Sequence, residues 1–386
     1  MKYILLLLYL PFLVACQTPK LENETASFVV KVFDAEENGF NLYDFVTEIE
    51  YIPLMYGGEE SLTQIISKLE VTPNFIYVLN SDNRSQKNIL VFDPKGNFIK
   101  NIPKIEAENY FSGAISDFIV DENQKLIILD KKSNLITLNQ DFSYSSHHKL
   151  PFQAAQIHRS EANEILCYSN GMAYDQQSDS LFYNTFILDK DFRIINTFDP
   201  FEIIVGKARH HHAMFGNIQH SENGFLYSEF LNDTIYEITG SAKKVRYLVD
   251  FDKNRFDKSA FPEAIIAPFS PILMDQFKWG LNTPLETDSY FMAVYYDKNI
   301  PMGLLFDKMK SKTYLFNPLK VLESENMIPW PQLSRKNNLY GIFKESSFEA
   351  MDKNIILSHG ADSNVKKIYQ HVQKNLNPVI VKYQLK

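Results

Sequence analysis

The densest cluster of metal-ligating side chains in this chain of 386 residues is Arg209-His210-His211-His212. On a strand, alternate side chains share a face, so His210 and His212 would sit together and could chelate one zinc or copper ion, with a third ligand from elsewhere. On a helix, successive histidines diverge by about 100° and could not. In a loop they form a solvated basic cluster. A second set is Lys68, Asp117, Gln156 and Asn217. Each immediately precedes the first large apolar residue of a short run, Leu69, Phe118, Ile157 or Ile218. If those runs are equivalent strands, the four polar groups lie at similar heights, where they could converge on a ligand or line a hydrated channel wall. Trp279 in FKWG and Trp330 in IPWPQL are the two indoles; exposed, they would stack on a sugar ring, and buried, they would fill core. The G-x-S-x-G elbow, the P-loop, H-E-x-x-H and C-x-x-C are absent, so the commonest local catalytic motifs are missing. Ser81-Asp82-Asn83 and the run from Asp250 to Asp257 lack Ca²⁺-loop spacing and its terminal glutamate. No cofactor is therefore assigned, and Ca²⁺ or Zn²⁺ at the residues named above is the exception to test.

The elements that must position these residues are short apolar runs entered through turn signals: FIYVL after Asn74, LIIL after Asn123-Gln124-Lys125, ILCY after Asn163-Glu164, FLY after Asn223-Gly224, YFMAVYY after Asp288-Ser289, and LYGIF after Asn337-Asn338. Runs of this length, rich in β-branched and aromatic residues, read as buried strands. They recur about every 53 residues. The first four are each followed by a further strand ending in a similar turn, as in NILVFD, then PKGN, then FIKNI. IISKLEV, AISDFIV, AAQIH and GNIQH precede them. Four-stranded units at a period of about 40–60 residues predict a β-propeller, whose blades cover one another's faces only if the ring closes. EIEYIPL (48–54) is expected to close it beside the C-terminal VIVKY, giving six blades.

Two stretches break the pattern. Residues 258–287, with four prolines, read as a partly helical insertion between blades four and five. From Ser363 to Asn375, a capping serine precedes Val365, Ile368, Tyr369, Val372 and Leu376 at helical spacing, which predicts a short C-terminal helix packed on one end of the ring. The fold class is thus all-β, a six-bladed β-propeller over 28–386 with a partly helical insertion and a short C-terminal helix.

The first 15 residues read as a signal peptide: Lys2, then about twelve apolar residues interrupted by Pro11, too few to span a bilayer. Leu13-Val14-Ala15-Cys16 resembles the lipobox of bacterial lipoproteins, which implies cleavage before Cys16 and acylation of its thiol. Two or three acyl chains anchor durably where one does not. Residues 16–27 read as a polar tether. Gln17 after the cysteine, by resemblance to enterobacterial sorting, favours the outer membrane, with the protein facing the periplasm or the surface. The remaining cysteine, Cys167 in ILCY, reads as a buried thiol.

EIEYIPL, FIYVLN with ILVFDPKGNFIKNI, NDTIYEI, DSYFMAVYYD, NNLYGIF and NPVIVKY together resemble the six-bladed β-propeller lipoproteins of Bacteroidetes, distant relatives of NHL propellers. The first blade departs from that pattern in having only the short KIEAENYFSG connection after it. The resemblance implies an envelope lipoprotein without an assigned activity, discussed alongside nutrient uptake. A formal net charge of −8 lacks the basic face that nucleic acid requires. The expectation is a non-enzymatic binding or scaffold module, tethered to the membrane by its lipid and offering a ring face to envelope proteins or glycans. The alternative is a lactonase-like propeller hydrolase or lyase with a metal-assisted site at the channel mouth.

Overall fold

The computed structural model describes residues 26–32, 42–63, 65–81, 87–102, 114–170, 182–201, 217–229, 232–255, 275–317, 328–349 and 363–386. Their strands fall into six separate sheets. Two strands precede the repeats, β1 (Phe28–Lys31) and β2 (Val46–Pro53). Blade one is β3 (Ile65–Val71), β4 (Ile76–Ser81), β5 (Lys87–Phe92) and β6 (Phe98–Ile102). Blade two is β7 (Ile115–Val120), β8 (Leu126–Asp130), β9 (Asn134–Leu138) and β10 (Tyr144–Lys149). Blade three is β11 (Gln156–Arg159), β12 (Ile165–Tyr168), β13 (Phe182–Leu188) and β14 (Ile194–Phe201), and blade four β15 (Ile218–His220), β16 (Phe225–Ser228), β17 (Thr234–Ile238) and β18 (Lys243–Asp250). Blade five is β19 (Lys278–Glu286), β20 (Tyr290–Asp297), β21 (Ile300–Asp307) and β22 (Lys312–Phe316). Blade six begins with β23 (Pro331–Arg335) and β24 (Asn338–Phe343), and after helices α1 (Glu345–Glu349) and α2 (Asn364–Asn375) ends with β25 (Val379–Leu385). Its fourth strand is β2, antiparallel to β25 with Glu50 opposite Lys382 and Ile52 opposite Ile380. The ring therefore closes as the sequence predicts, through an early strand beside the last one.

Period-two alternation explains why each blade needs both neighbours. In blade one, Tyr77 and Leu79 pack with Phe118 and Ile128 of blade two, whereas Ile76 and Val78 pack with Leu333 and Ile380 of blade six. The second strands of the first four blades are consequently buried along their whole length, as in IYVLNS and LIILD. Six apolar clusters fill the six seams. The turns share one device: Asp93, Asp121, Asp130 and Asp189 each accept backbone N–H groups two and four residues on, from Lys95 and Asn97 in the first case at 2.9 Å each. The residue before the second of those donors takes a left-handed φ, as at Gly96 (85°) and Gln124 (60°).

Three local expectations change. The span read as an insertion contains the innermost strand of blade five, since β19 covers Lys278–Glu286; its Gly-Leu-Asn-Thr-Pro centre hides the alternation, and its register against β20 shifts around Asn282. Helix α2 forms with Ser363 as N-cap, its side chain accepting from Lys366 N, and buries Val365, Ile368 and Val372 against blades five and six. Leu376, by contrast, ends the helix at φ 59° and is 57% exposed, so it lies outside the apolar stripe. Blade four carries a fifth strand: β1 runs parallel to β18, with Phe28 opposite Tyr247. Phe28 stacks on Tyr247 (5.3 Å, 17°), which stacks on Phe291 (3.9 Å, 14°).

Candidate functional site

The innermost strands β3, β7, β11, β15, β19 and β23 all contribute to a central cavity of about 350 Å³. On β3 and β11, residues two positions apart share the channel side. On β3 these are Lys68 and Glu70, and on β11 Gln156 and His158, all at the cavity wall.

Lys68 and Asp117 meet as the sequence alignment placed them. Lys68 Nζ donates to Asp117 Oδ2 (3.1 Å) and to the Ile157 carbonyl (2.7 Å), so one ammonium ties blades one, two and three. Asp117 Oδ2 also accepts from Ile157 N (2.8 Å), and Oδ1 from Phe118 N (2.9 Å). Both carboxylate oxygens are thus engaged by donors. Gln156 lines the same cavity. Asn217 does not: it is buried at the head of β15, its carbonyl accepts from Ser228 N, and its Oδ1 has no partner. The strand there has only three residues, so Ile218, Gln219 and His220 take the channel wall instead.

Nearer the hairpins that join first to second strands lies a second charged layer, which the sequence reading missed. Arg335 of blade six pairs with Glu70 of blade one, and His220 Nε2 of blade four stands 3.9 Å from Glu70 Oε1, an electrostatic rather than hydrogen-bond distance. Burial alone would raise the Glu70 carboxyl, but Arg335, His220 and Lys68 hold it well below the usual carboxylate range. Burial, reinforced by Lys68 and His220, pushes His158 well below the ordinary imidazole value; burial and Arg335 lower His220 against the pull of Glu70. Both imidazoles are therefore neutral at pH 7. Advancing the register by two residues from Lys68 and Gln156 would have found Glu70 and His158; Arg335 needed blade six in the alignment.

At the hairpin face two depressions of about 560 and 740 Å³ open, and Glu161, Arg335 and Lys336 line both. In the larger, Glu286 Oε1 accepts from Arg246 (2.9 Å) and Lys308 (3.0 Å), with the Tyr247 hydroxyl on the same oxygen.

The two indoles separate. Trp279 is buried within blade five and stacks on Tyr296 (4.6 Å, 18°), so it fills core and presents no face to a sugar. Trp330 lies at the cavity wall, tilted against Phe316 at 5.2 Å, with its Nε1 buried and without a hydrogen-bond partner. Cys167 is buried, and burial pushes its thiol up. Cys16, His210 and His212 lie outside the described residues. Among the described residues, no group of three or more His, Cys, Asp or Glu is arranged to hold a metal.

Six blades of four strands, the fourth extended by β1, closed by an N-terminal strand around a cross-linked polar channel, define a six-bladed β-propeller. The chain belongs to the family of the domain of unknown function DUF4934, whose model matches residues 27–384. Among solved structures it is similar to a protein of Bacteroides fragilis named "Putative exported protein", with a TM-score of 0.69 and 17% identity over 93% of this chain and 99% of that one. At this identity the likeness concerns the fold. BamB from Moraxella catarrhalis (TM-score 0.37, 14% identity, 70% of this chain and 67% of that one) and a protein of unknown function from Bacteroides caccae (0.35, 11%, 65% and 81%) align more loosely and carry no argument. No curated protein matches the sequence.

Proposed function

We propose that this propeller is an outer-membrane lipoprotein, acylated at Cys16, that acts as a non-enzymatic binding or scaffold module for an envelope ligand, in the manner of NHL-like propellers and in association with nutrient uptake or an envelope complex. The observation that carries the binding reading is the state of the channel carboxylates. Asp117 and Glu70 are taken up by Lys68, Arg335 and backbone amides, which builds a fixed polar wall rather than a nucleophile beside a base. The same pairing counts against a lactonase-like site, because the oxygens of Asp117 that would hold a Ca²⁺ already hold an ammonium and two amides. The lipobox-like ending at Cys16 supports the anchor, and the name of the Bacteroides fragilis neighbour is in keeping with export. Growth with an alkyne-tagged fatty acid, followed by fractionation, tests the anchor. The wild type should label and sediment with outer membranes, and Cys16→Ala should do neither; label persisting in Cys16→Ala would refute acylation at that thiol.

A further inference from the structure

From the charge balance of the central cavity and the hydrogen-bonding groups left unused at its wall, we infer that it binds a single neutral sugar ring. This rests on the binding reading above and names the chemical class of the ligand. Among the charged side chains that line the cavity, Lys68 and Lys87 offset Asp117 and Glu70. Arg335 reaches Glu70 from outside that lining and is itself faced by Glu161 at 3.9 Å. His158 and His220, the other titratable groups at the wall, are neutral. An ion entering such a wall would leave water without meeting an opposite charge that is not already taken. A sugar hydroxyl makes no such demand, and it both donates and accepts at one atom.

The unused groups are of both kinds. On the donor side, Lys68 Nζ spends two of its N–H groups on Asp117 and the Ile157 carbonyl and keeps a third, and Trp330 Nε1 has no partner among the described residues. On the acceptor side, Gln219 donates its amide nitrogen to the Gln332 carbonyl (3.3 Å) and keeps its oxygen, and the buried His220 Nδ1 has no partner among the described residues. The side-chain amides of Gln156 and of the exposed Gln332 are likewise unengaged among the described residues, and each offers a donor and an acceptor in one plane. The apolar part of the wall completes the match. Trp330, backed by Phe316 at 5.2 Å, lies there with Val294 and Leu333, which is the kind of surface that the C–H face of a pyranose covers. At about 350 Å³ the cavity is at the small end of ligand pockets, roughly 300–1,000 Å³, so one ring suits it and a polymer chain does not.

The test pairs neutral sugars with charged counterparts: glucose with glucuronate, galactose with galacturonate, and N-acetylglucosamine with glucosamine, titrated calorimetrically into the protein. At least one neutral sugar should bind about tenfold or more tightly than its counterpart, and its affinity should change by less than about twofold between about 0.05 and 0.5 M salt. Gln156→Ala and Gln332→Ala should each weaken it at least about threefold, with a melting temperature near that of the wild type. Trp330→Phe should abolish the accompanying change in indole emission, since Trp279 is buried within blade five. If Gln156→Ala or Trp330→Phe unfolds early, Gln332→Ala at its exposed position carries the comparison. The inference is overturned if no neutral sugar binds at about 50 mM, if a charged counterpart binds as tightly, or if Gln332→Ala binds like the wild type. Conversion of a bound sugar, seen as product by NMR, would refute the non-enzymatic reading and leave the sugar site standing; failure of sugar binding would leave the scaffold reading and its Cys16 anchor standing.

Discussion

Arg335→Met tests whether the deep charged layer holds the closing seam between blades one and six. The substitution preserves most of the side-chain volume and strands Glu70, whose side chain is 4% exposed. Removing one member of a buried ion pair costs about 3–5 kcal/mol. Arg335 is itself 23% exposed, and Lys68 still acts on Glu70, which places the loss near the lower end, about 3 kcal/mol. A ring of this size, at about 2.1 cal/mol/K per residue, unfolds with an entropy of about 0.7 kcal/mol/K, so Tm should fall by about 4 °C. The companion Glu70→Gln/Arg335→Met removes both charges and should recover to within about 1 kcal/mol of the wild type. The pH dependence has a definite sign. In the wild type the depressed Glu70 contributes stability that is present above the unfolded carboxylate value, about 4.3, and is lost as pH falls through its lower folded value. In Arg335→Met burial dominates and lifts the folded value above the unfolded one, so the variant is most handicapped at pH 7 and its deficit shrinks toward about pH 5. Scanning calorimetry at pH 5, 6 and 7 reads both effects. A double variant as unstable as the single one, or a deficit that does not change with pH, would refute the reasoning.

Three further outcomes are expected. Gly96→Ala should cost at least about 2 kcal/mol, because φ is 85° and a Cβ there would run into the Pro53 carbonyl oxygen; a variant melting within a degree of the wild type would show that the turn can relax. Phe28→Ala should lower stability by about 2–3 kcal/mol through loss of its stack on Tyr247, and limited proteolysis should then cut within 26–32 before the ring is cleaved. Cys167 should resist Ellman's reagent in the native protein at pH 8 and react fully after unfolding, since the thiol is buried and its ionisation is suppressed; prompt native-state labelling would place it at the surface.

The ring was legible because its signal is repeated. A single FIYVL says little, but six such runs, each sandwiched on both faces, leave the same imprint at one period, and turns such as DPKGN and DKDFR mark their ends. β19 escaped because Pro284 interrupts it, and its bulges destroy the alternation that marks a strand. β1 escaped for another reason: four residues of FVVK pair with a strand more than 200 positions away, and nothing local announces a fifth strand on blade four. At the site, matching the inner strands one residue at a time recovered Lys68 and Asp117, whose partnership is a property of equal height in neighbouring blades. Asn217 failed the same match because β15 is short and its wall begins one residue later. Arg335 and Glu70 are 265 residues apart, and only closure of the ring makes them neighbours.

The placement of β1 also decides how the molecule bears load. Any tension applied through the N-terminal segment reaches Phe28–Lys31 before it reaches Val46–Pro53, the strand that latches the ring. The parallel pairing with β18 and the aromatic stack beneath Phe28 therefore act as a strain relief, much as a cable clamp protects a connector. A tug insufficient to peel β1 from blade four is delivered to the rim of a single blade. The latch in blade six feels it only after that clamp has let go.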